Sequence, residues 1–175
     1  MRGKLIALLL AAAAAALAAY MFWPLALDEY VDAAEQIVVV RTDDGLSGEA
    51  GSPRPWVVSE DHTLERGTPE FEAMAALLSG ESCYRTLRYP DGTGGCSVTL
   101  WFYGGGEHLG GYLLMDSGFV RDMDNRDYTM GLFTGEPVRE LTDAIAAALQ
   151  WEEISELSEE DYQRYLADVR IPNMI

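Results

Sequence analysis

The hydrophobic pattern of the chain begins with one long apolar run and then breaks into short segments. The run covers Leu5 to Leu27, 23 residues without a charge. As a helix it would be about 34 Å long, enough to cross a hydrocarbon core of about 30 Å. Arg2 and Lys4 precede it and Asp28 follows it. The pattern therefore predicts a signal anchor or transmembrane helix over residues 1–27, with the rest of the chain outside the cytoplasm.

The same segment also fits a cleaved signal peptide, because its alanine run offers small-residue cleavage positions such as Ala16-Leu17-Ala18. Beyond those positions, however, the apolar run continues into Tyr20, Phe22 and Trp23, and amphipathic rings are typical of a membrane–water interface. We therefore expect an uncleaved anchor, with cleavage as the alternative. The protein would then be a single-pass protein of the cell membrane that contacts the bilayer through residues 5–27.

Three further regions follow the anchor. Residues 28–36 read as a short acidic stalk, residues 37–151 as an α+β domain, and residues 152–175 as an acidic tail. Within the tail, Ser158 and Asp161 are spaced as a capping box, which predicts a last amphipathic helix.

Short apolar segments open the domain. Ile37–Val40 is an unbroken apolar run that predicts a strand buried on both faces, although periodicity alone does not exclude a helix. Glycine, proline and serine then predict a loop over residues 43–55. Trp56–Ser59 predicts a second short strand.

Two amphipathic helices are predicted on either side of a strand-rich region. Thr68 and Pro69 provide a cap and a first helical residue, and Gly80 provides a stop. The second helix opens at Pro137. Apolar residues recur at helical spacing in both segments, namely Phe71, Met74, Ala75 and Leu78 in the first and Val138, Leu141, Ile145, Ala148 and Leu149 in the second.

The region between the helices predicts strands separated by glycine-rich turns. Cys83–Tyr89 and Ser97–Tyr103 are expected to form a hairpin that places Cys83 opposite Phe102. Leu109–Met115 follows, with either Tyr112 and Leu114 or the alternate residues facing inward. The last two predicted strands are Phe119–Asp122 and Tyr128–Phe133. The sequence thus predicts an α+β fold, an antiparallel meander sheet of about five to seven strands with two packing helices.

The net charge of the chain restricts the kinds of partner that it can bind. From Asp28 onward the chain holds 10 arginines and 29 acidic residues, a formal charge of −19. Such a surface repels nucleic acids and anionic lipid headgroups and attracts a cationic peptide, a basic protein or another cationic envelope partner. The alternative interpretation is that the acids only confer solubility.

Candidate catalytic chemistry is sparse. His62 and His108 lack a second ligand at metal-binding spacing, and no G-x-S-x-G motif is present. The glycine-rich turns precede strands, whereas a phosphate cradle needs a helix N-terminus. We therefore expect no cofactor and no metal, although the acidic tip Asp122–Asp127 leaves weak calcium binding open as an alternative.

The two cysteines of this exported chain suggest a disulfide between Cys83 and Cys96. The predicted hairpin register places them at opposite ends of its ladder, beyond the spacing that a disulfide needs. We therefore favour two separate thiols over the bond.

Three aromatic residues are the candidate binding site. In the predicted hairpin, Tyr84, Trp101 and Tyr103 share one face and form an aromatic strip. This strip is either covered by the second helix or exposed as a patch that binds partners or glycans.

The sequence resembles small membrane-anchored or lipoprotein extracytoplasmic domains of unknown function from Gram-positive bacteria. The resemblance covers Glu35–Leu149 and lies in IVVVRTDDG, TPEFEAMAALL, WFYGGGEHLGGYLLMDSGFV and DYTM. No cysteine precedes Cys83 to accept a lipid, which departs from the lipoprotein members. The resemblance includes no catalytic motif. We expect a non-enzymatic binding or sensing module at the cell surface, with an envelope hydrolase acting on cell-wall peptide or glycan as the alternative.

Overall fold

The computed structural model describes residues 2–47, 54–86, 95–131 and 134–151. Within these ranges all strands belong to one antiparallel sheet with the spatial order β1-β4-β8-β7-β6-β5-β2-β3. The elements follow the chain as α1 (Arg2–Phe22), β1 (Leu25–Ala26), β2 (Gln36–Ser47), β3 (Arg54–Glu65), α2 (Pro69–Leu78), β4 (Ser82–Arg85), β5 (Gly95–Gly104), β6 (Glu107–Met115), β7 (Phe119–Asp122), β8 (Asp127–Thr129) and α3 (Glu136–Ala148). The predicted α+β class with an antiparallel sheet is confirmed, and the sheet has eight strands rather than five to seven.

One face of the sheet forms the core. Side chains alternate along a strand, and the buried ones in β2, β5 and β6 fall on the same face because of the register between these strands. We call this the inner face; its fully or almost fully buried members are Ile37, Val39, Val98, Leu100, Phe102, Tyr112 and Leu114. Buried residues of α2 and α3 join the same core cluster, so both helices pack on the inner face.

The strand at Ile37–Val40 is confirmed, but it is not buried on both faces. Only Ile37 and Val39 are fully buried, whereas Val38 and Val40 are half-buried on the other face. The strand also runs on to Ser47, so the region predicted as a loop begins later than expected. β2 pairs with β3 on one side and with β5 on the other. Both ladders continue past Val40, so β2 is longer than its apolar run.

The predicted hairpin between β4 and β5 is wrong. β5 lies between β2 and β6, and β4 lies between β1 and β8. β2 and β5 form nine residue pairs, from Gln36 opposite Tyr103 to Asp44 opposite Gly95. β4, by contrast, has only four residues. The longer ladders satisfy more backbone hydrogen bonds, so β5 pairs with the longer strands. Residues 87–94, which hold the rest of the predicted hairpin, lie outside the described ranges.

The cysteines are free thiols, as favoured from the sequence, but for a different reason. Cys83 lies in β4 and Cys96 in β5, which are four positions apart in the sheet. Three strands, β8, β7 and β6, separate the two backbones, so the cysteines are not neighbours as a disulfide requires.

The segment after α1 packs against the domain, whereas the sequence predicted a stalk over residues 28–36. Leu27 and Ala34 are fully buried, and the ring of Tyr30 lies 5.7 Å from the rings of both Phe102 and Tyr112. Gly110 makes this possible, because a Cβ atom there would come within 2.4 Å of the Tyr30 ring. Residues 27–34 are therefore the third segment that packs on the inner face, after α2 and α3.

Local signals in the helices and turns are confirmed. The Thr68 hydroxyl accepts a hydrogen bond from the Phe71 amide, as an N-cap does. Asn125 has a φ of 59° at the tip between β7 and β8, a conformation that asparagine tolerates. Tyr112 and Leu114 are the inward pair of β6. The predicted helix after Ser158 lies outside the described residues.

Substituting Gly110→Ala tests the packing of Tyr30 against the sheet. The new methyl group collides with the Tyr30 ring, so we expect the free energy of unfolding to fall by about 1–3 kcal/mol, the usual cost of overpacking. In a Tyr30→Ala background the same change should cost less than about 1 kcal/mol, because the ring is gone. Equal costs in both backgrounds, measured by denaturant unfolding, would show that residues 28–36 do not pack on the sheet.

Candidate functional site

The three residues of the predicted aromatic strip do not come together. Trp101 and Tyr103 are both in β5, whereas Tyr84 is in β4, separated from β5 by β8, β7 and β6. With three strands between them, Tyr84 cannot form one strip with the two residues of β5. The strip was predicted from a hairpin that does not form, so only its Trp101 and Tyr103 members remain a candidate site.

Trp101 and Tyr103 lie on the face of the sheet opposite the helices. Trp101 is paired with Val38 and Tyr103 with Gln36, and these positions alternate with the buried inner positions of the same strands. We call this side the outer face, defined by six half-buried residues, Val38, Val40, Thr99, Trp101, Tyr103 and Leu113. Of the two alternatives for the strip, coverage by the second helix is wrong for Trp101 and Tyr103, because α3 packs on the inner face.

A β-bulge adds His108 to this surface. The register between β5 and β6 shifts between Phe102, which is opposite Gly110, and Tyr103, which is opposite His108. The extra residue, Leu109, changes which side chains of β6 point outward. The exposed His108 ring lies 5.2 Å from the Trp101 ring and 5.3 Å from the Tyr103 ring. We call Trp101, Tyr103 and His108 the aromatic cluster.

Two neighbours extend the cluster along the outer face. Gly111 is paired with Trp101, and a Cβ atom at Gly111 would be 3.2 Å from the Trp101 ring and 3.3 Å from the Met123 sulfur. The missing side chain thus lets Trp101 and Met123 approach the backbone of β6. Met123 is 47% exposed, so the surface beside Trp101 is apolar and accessible.

A buried polar cluster on the inner face has a structural role. Arg41 Nε lies 2.9 Å from the Asp43 carboxylate, and both side chains are 9% exposed. The indole of Trp151 covers them, with its ring centre 5.9 Å from the Arg41 guanidinium and 5.4 Å from the His62 ring. A buried ion pair of this kind must stay paired, because either partner alone would be an uncompensated buried charge.

Cys96 belongs to this polar cluster, and its thiol is not an activated nucleophile. Burial, followed by the hydrogen bond and charge of Asp43, raises the pKa of Cys96 to about 11. Burial raises the pKa of Cys83 to about 12. Nucleophilic cysteines need a lowered pKa, so neither thiol has the environment of a catalytic cysteine.

The carboxylates of Asp122 and Asp124, in the acidic tip, bind groups of the same turn. Asp122 accepts hydrogen bonds from the backbone amides of Asp124 and Arg126 and from the Tyr128 hydroxyl. Arg126 also lies 2.7 Å from the Asp124 carboxylate. In the described ranges, no three histidine, cysteine or acidic side chains are placed to hold a metal ion.

The raised pKa of Cys96 predicts how its labelling depends on pH. Alkylation by iodoacetamide should be at least tenfold slower at pH 8 than that of a model thiol, whose pKa is near 9, and should rise until about pH 11. The Cys83 thiol is fully buried and serves as the internal control. Because folding raises the Cys96 pKa, stability should be constant below about pH 9 and fall as the pH rises towards 11. Rapid labelling of Cys96 at pH 8 would reveal an activated thiolate instead.

Comparison of the chain with protein-family models, curated proteins and solved structures found no match.

Proposed function

We propose that the protein is a single-pass, membrane-anchored extracytoplasmic module that binds a partner on the outer face of its sheet. The observation that carries the proposal is the aromatic cluster, which lies on the side of the sheet opposite α2, α3 and residues 27–34. Binding surfaces are enriched in tryptophan and tyrosine because their rings bury a large area at a small cost in conformational entropy.

The anchor half of the proposal is supported by α1. Among the described helices, it is the one long and apolar enough to cross a membrane, over Lys4–Phe22. None of that span is buried against the protein, so its apolar surface needs another environment. Basic residues in the first turn of α1 and acidic residues after the helix favour an orientation with the sheet outside the cytoplasm. The resemblance to tethered extracytoplasmic domains agrees with this orientation.

The partner we infer is a cationic peptide or a basic protein. The chain beyond the anchor carries a formal charge of −19, which attracts cations over a distance and repels nucleic acids. At contact, the faces of Trp101 and Tyr103 can each hold an arginine or lysine head group through a cation–π interaction. Long-range charge and local ring chemistry thus select the same class of partner.

The alternative of an envelope hydrolase has less support. The two thiols have raised pKa values, and the Asp122 carboxylate is held by the turn around it. Turnover of peptidoglycan or glycan by the purified chain would nevertheless favour the hydrolase and count against the binding module.

Substitution of the aromatic cluster tests the binding surface. For the full chain in detergent, we expect Trp101→Ala to weaken the binding of an arginine-rich peptide at least tenfold, because the ring is a central contact. Tyr84→Ala is the matched control, since Tyr84 is an aromatic residue of the same sheet, separated from β5 by three strands. Titration calorimetry measures both. Unchanged affinity in Trp101→Ala, or an equal loss in Tyr84→Ala, would contradict the proposed surface.

Protease treatment of intact cells tests the anchor and its orientation. The protein should fractionate with membranes, and external protease should remove the domain beyond residue 27. Protection of the domain until the cells are opened would place it in the cytoplasm, and release of the domain into the medium would indicate cleavage after the alanine run.

A further inference from the structure

The anchor helix joins the edge of the sheet through a very short connection. α1 ends at Phe22 and β1 begins at Leu25, so two residues link them, and Phe22 and Leu25 are at most about 10 Å apart. β1 pairs directly with β4, Leu25 opposite Cys83. If α1 spans a bilayer, the β1–β4 edge of the sheet must lie at the level of the lipid headgroups.

A cleft lies at this junction. It has a volume of about 560 Å³ and is open to solvent, and its walls include Tyr20, Trp23, Pro24, Glu29, Arg85 and Tyr128. The indole of Trp23 is 75% exposed at its mouth. Tryptophan and tyrosine at this depth are typical of the membrane–water interface.

Arg85 is held in the cleft by aromatic rings. Its guanidinium carbon is 4.2 Å from the centre of the Tyr20 ring and 5.6 Å from that of the Tyr128 ring. One of its N–H groups donates to the Tyr20 hydroxyl at 2.5 Å. A guanidinium carries five N–H donors, so most of its hydrogen-bonding capacity remains for a ligand in the cleft.

Arg85 differs in this respect from the other arginines whose side chains are described. Arg41, Arg121, Arg126 and Arg139 each lie within 4 Å of a carboxylate. Arg66 donates to the backbone carbonyls of three residues, Val31, Asp32 and Ala34. Arg85 has neither kind of partner among the described residues. In a strongly acidic domain, a cation without a carboxylate partner is positioned for an external anion.

We propose that this cleft binds the phosphate of a phospholipid headgroup, with Arg85 as the phosphate ligand. Arginine matches phosphate geometry with two parallel hydrogen bonds, and the cleft opens where a bilayer concentrates phosphates. Glu29 lies in the same wall, so a headgroup that also carries an amine, such as phosphatidylethanolamine, is favoured over an anionic one without an amine. The inference rests on the membrane anchoring proposed above and adds a second, headgroup-specific contact.

Native mass spectrometry of the full chain in detergent micelles tests this site, with phosphatidylethanolamine and phosphatidylglycerol as probes. The wild-type chain should retain one phosphatidylethanolamine in preference to phosphatidylglycerol. Arg85→Gln should lower this retention at least tenfold, and Glu29→Gln should abolish the preference between the two lipids. Arg139→Gln is the control, because Arg139 belongs to α3 and pairs with Asp116; it should retain lipid as the wild type does. A far-ultraviolet circular dichroism spectrum and a thermal unfolding midpoint equal to those of the wild type show that each variant is folded.

Two results would overturn the assignment. Equal retention by Arg85→Gln and the wild type would show that the cleft does not hold the phosphate. Displacement of the lipid by millimolar inorganic phosphate alone would show that the site takes a free anion rather than a headgroup. Flotation with vesicles separates this inference from the anchor, because α1 should carry both the wild type and Arg85→Gln to the lipid fraction. A wild-type chain that does not float would refute the anchor itself.

Discussion

The packing of the described helices on one face of the sheet is the constraint on which the rest of the structure depends. Three described segments pack on this inner face: α2, α3 and residues 27–34. Each contributes buried apolar residues that contact the inner side chains of β2, β5 and β6. The outer positions of the same strands hold half-buried residues of mixed character, including Trp101. An antiparallel sheet of this kind has its apolar core on one side, and its other side can carry polar and aromatic residues.

The position of α1 adds a second constraint, because the chain enters the domain at an edge strand. β1 is at one end of the strand order, and β3 is at the other, seven strand positions away. The sheet curls over its inner face, because the Tyr112 hydroxyl on β6 donates to the Ala26 carbonyl on β1 at 3.2 Å. The aromatic cluster is on β5 and β6, which are five and four strand positions from β1. The edge where α1 enters and the aromatic cluster therefore occupy different parts of one sheet.

Features encoded locally could be predicted from the sequence, whereas features that depend on distant residues could not. The cap at Thr68 and the left-handed turn at Asn125 each depend on a few consecutive residues, and both are present. The partners of β5 could not be predicted, because pairing depends on the length of β2, which extends past its apolar run. The packing of residues 27–34 depends on Gly110, whose missing side chain accommodates Tyr30 from about eighty residues earlier. His108 joined the site through a bulge that the hydrophobic pattern does not reveal.

The central claim is that the outer face is more accessible to solvent than the inner face, and hydroxyl-radical footprinting of the intact chain in lipid nanodiscs tests it most directly. Trp101 and Trp151 provide the comparison within one molecule, because Trp101 lies on the outer face and Trp151, 9% exposed, lies on the inner face. The account predicts rapid oxidation of Trp101 and of the neighbouring Met123, with Trp151 and the fully buried Met74 protected. Protection of Trp101 to the same degree as Trp151 would show that the outer face is covered and would contradict the account.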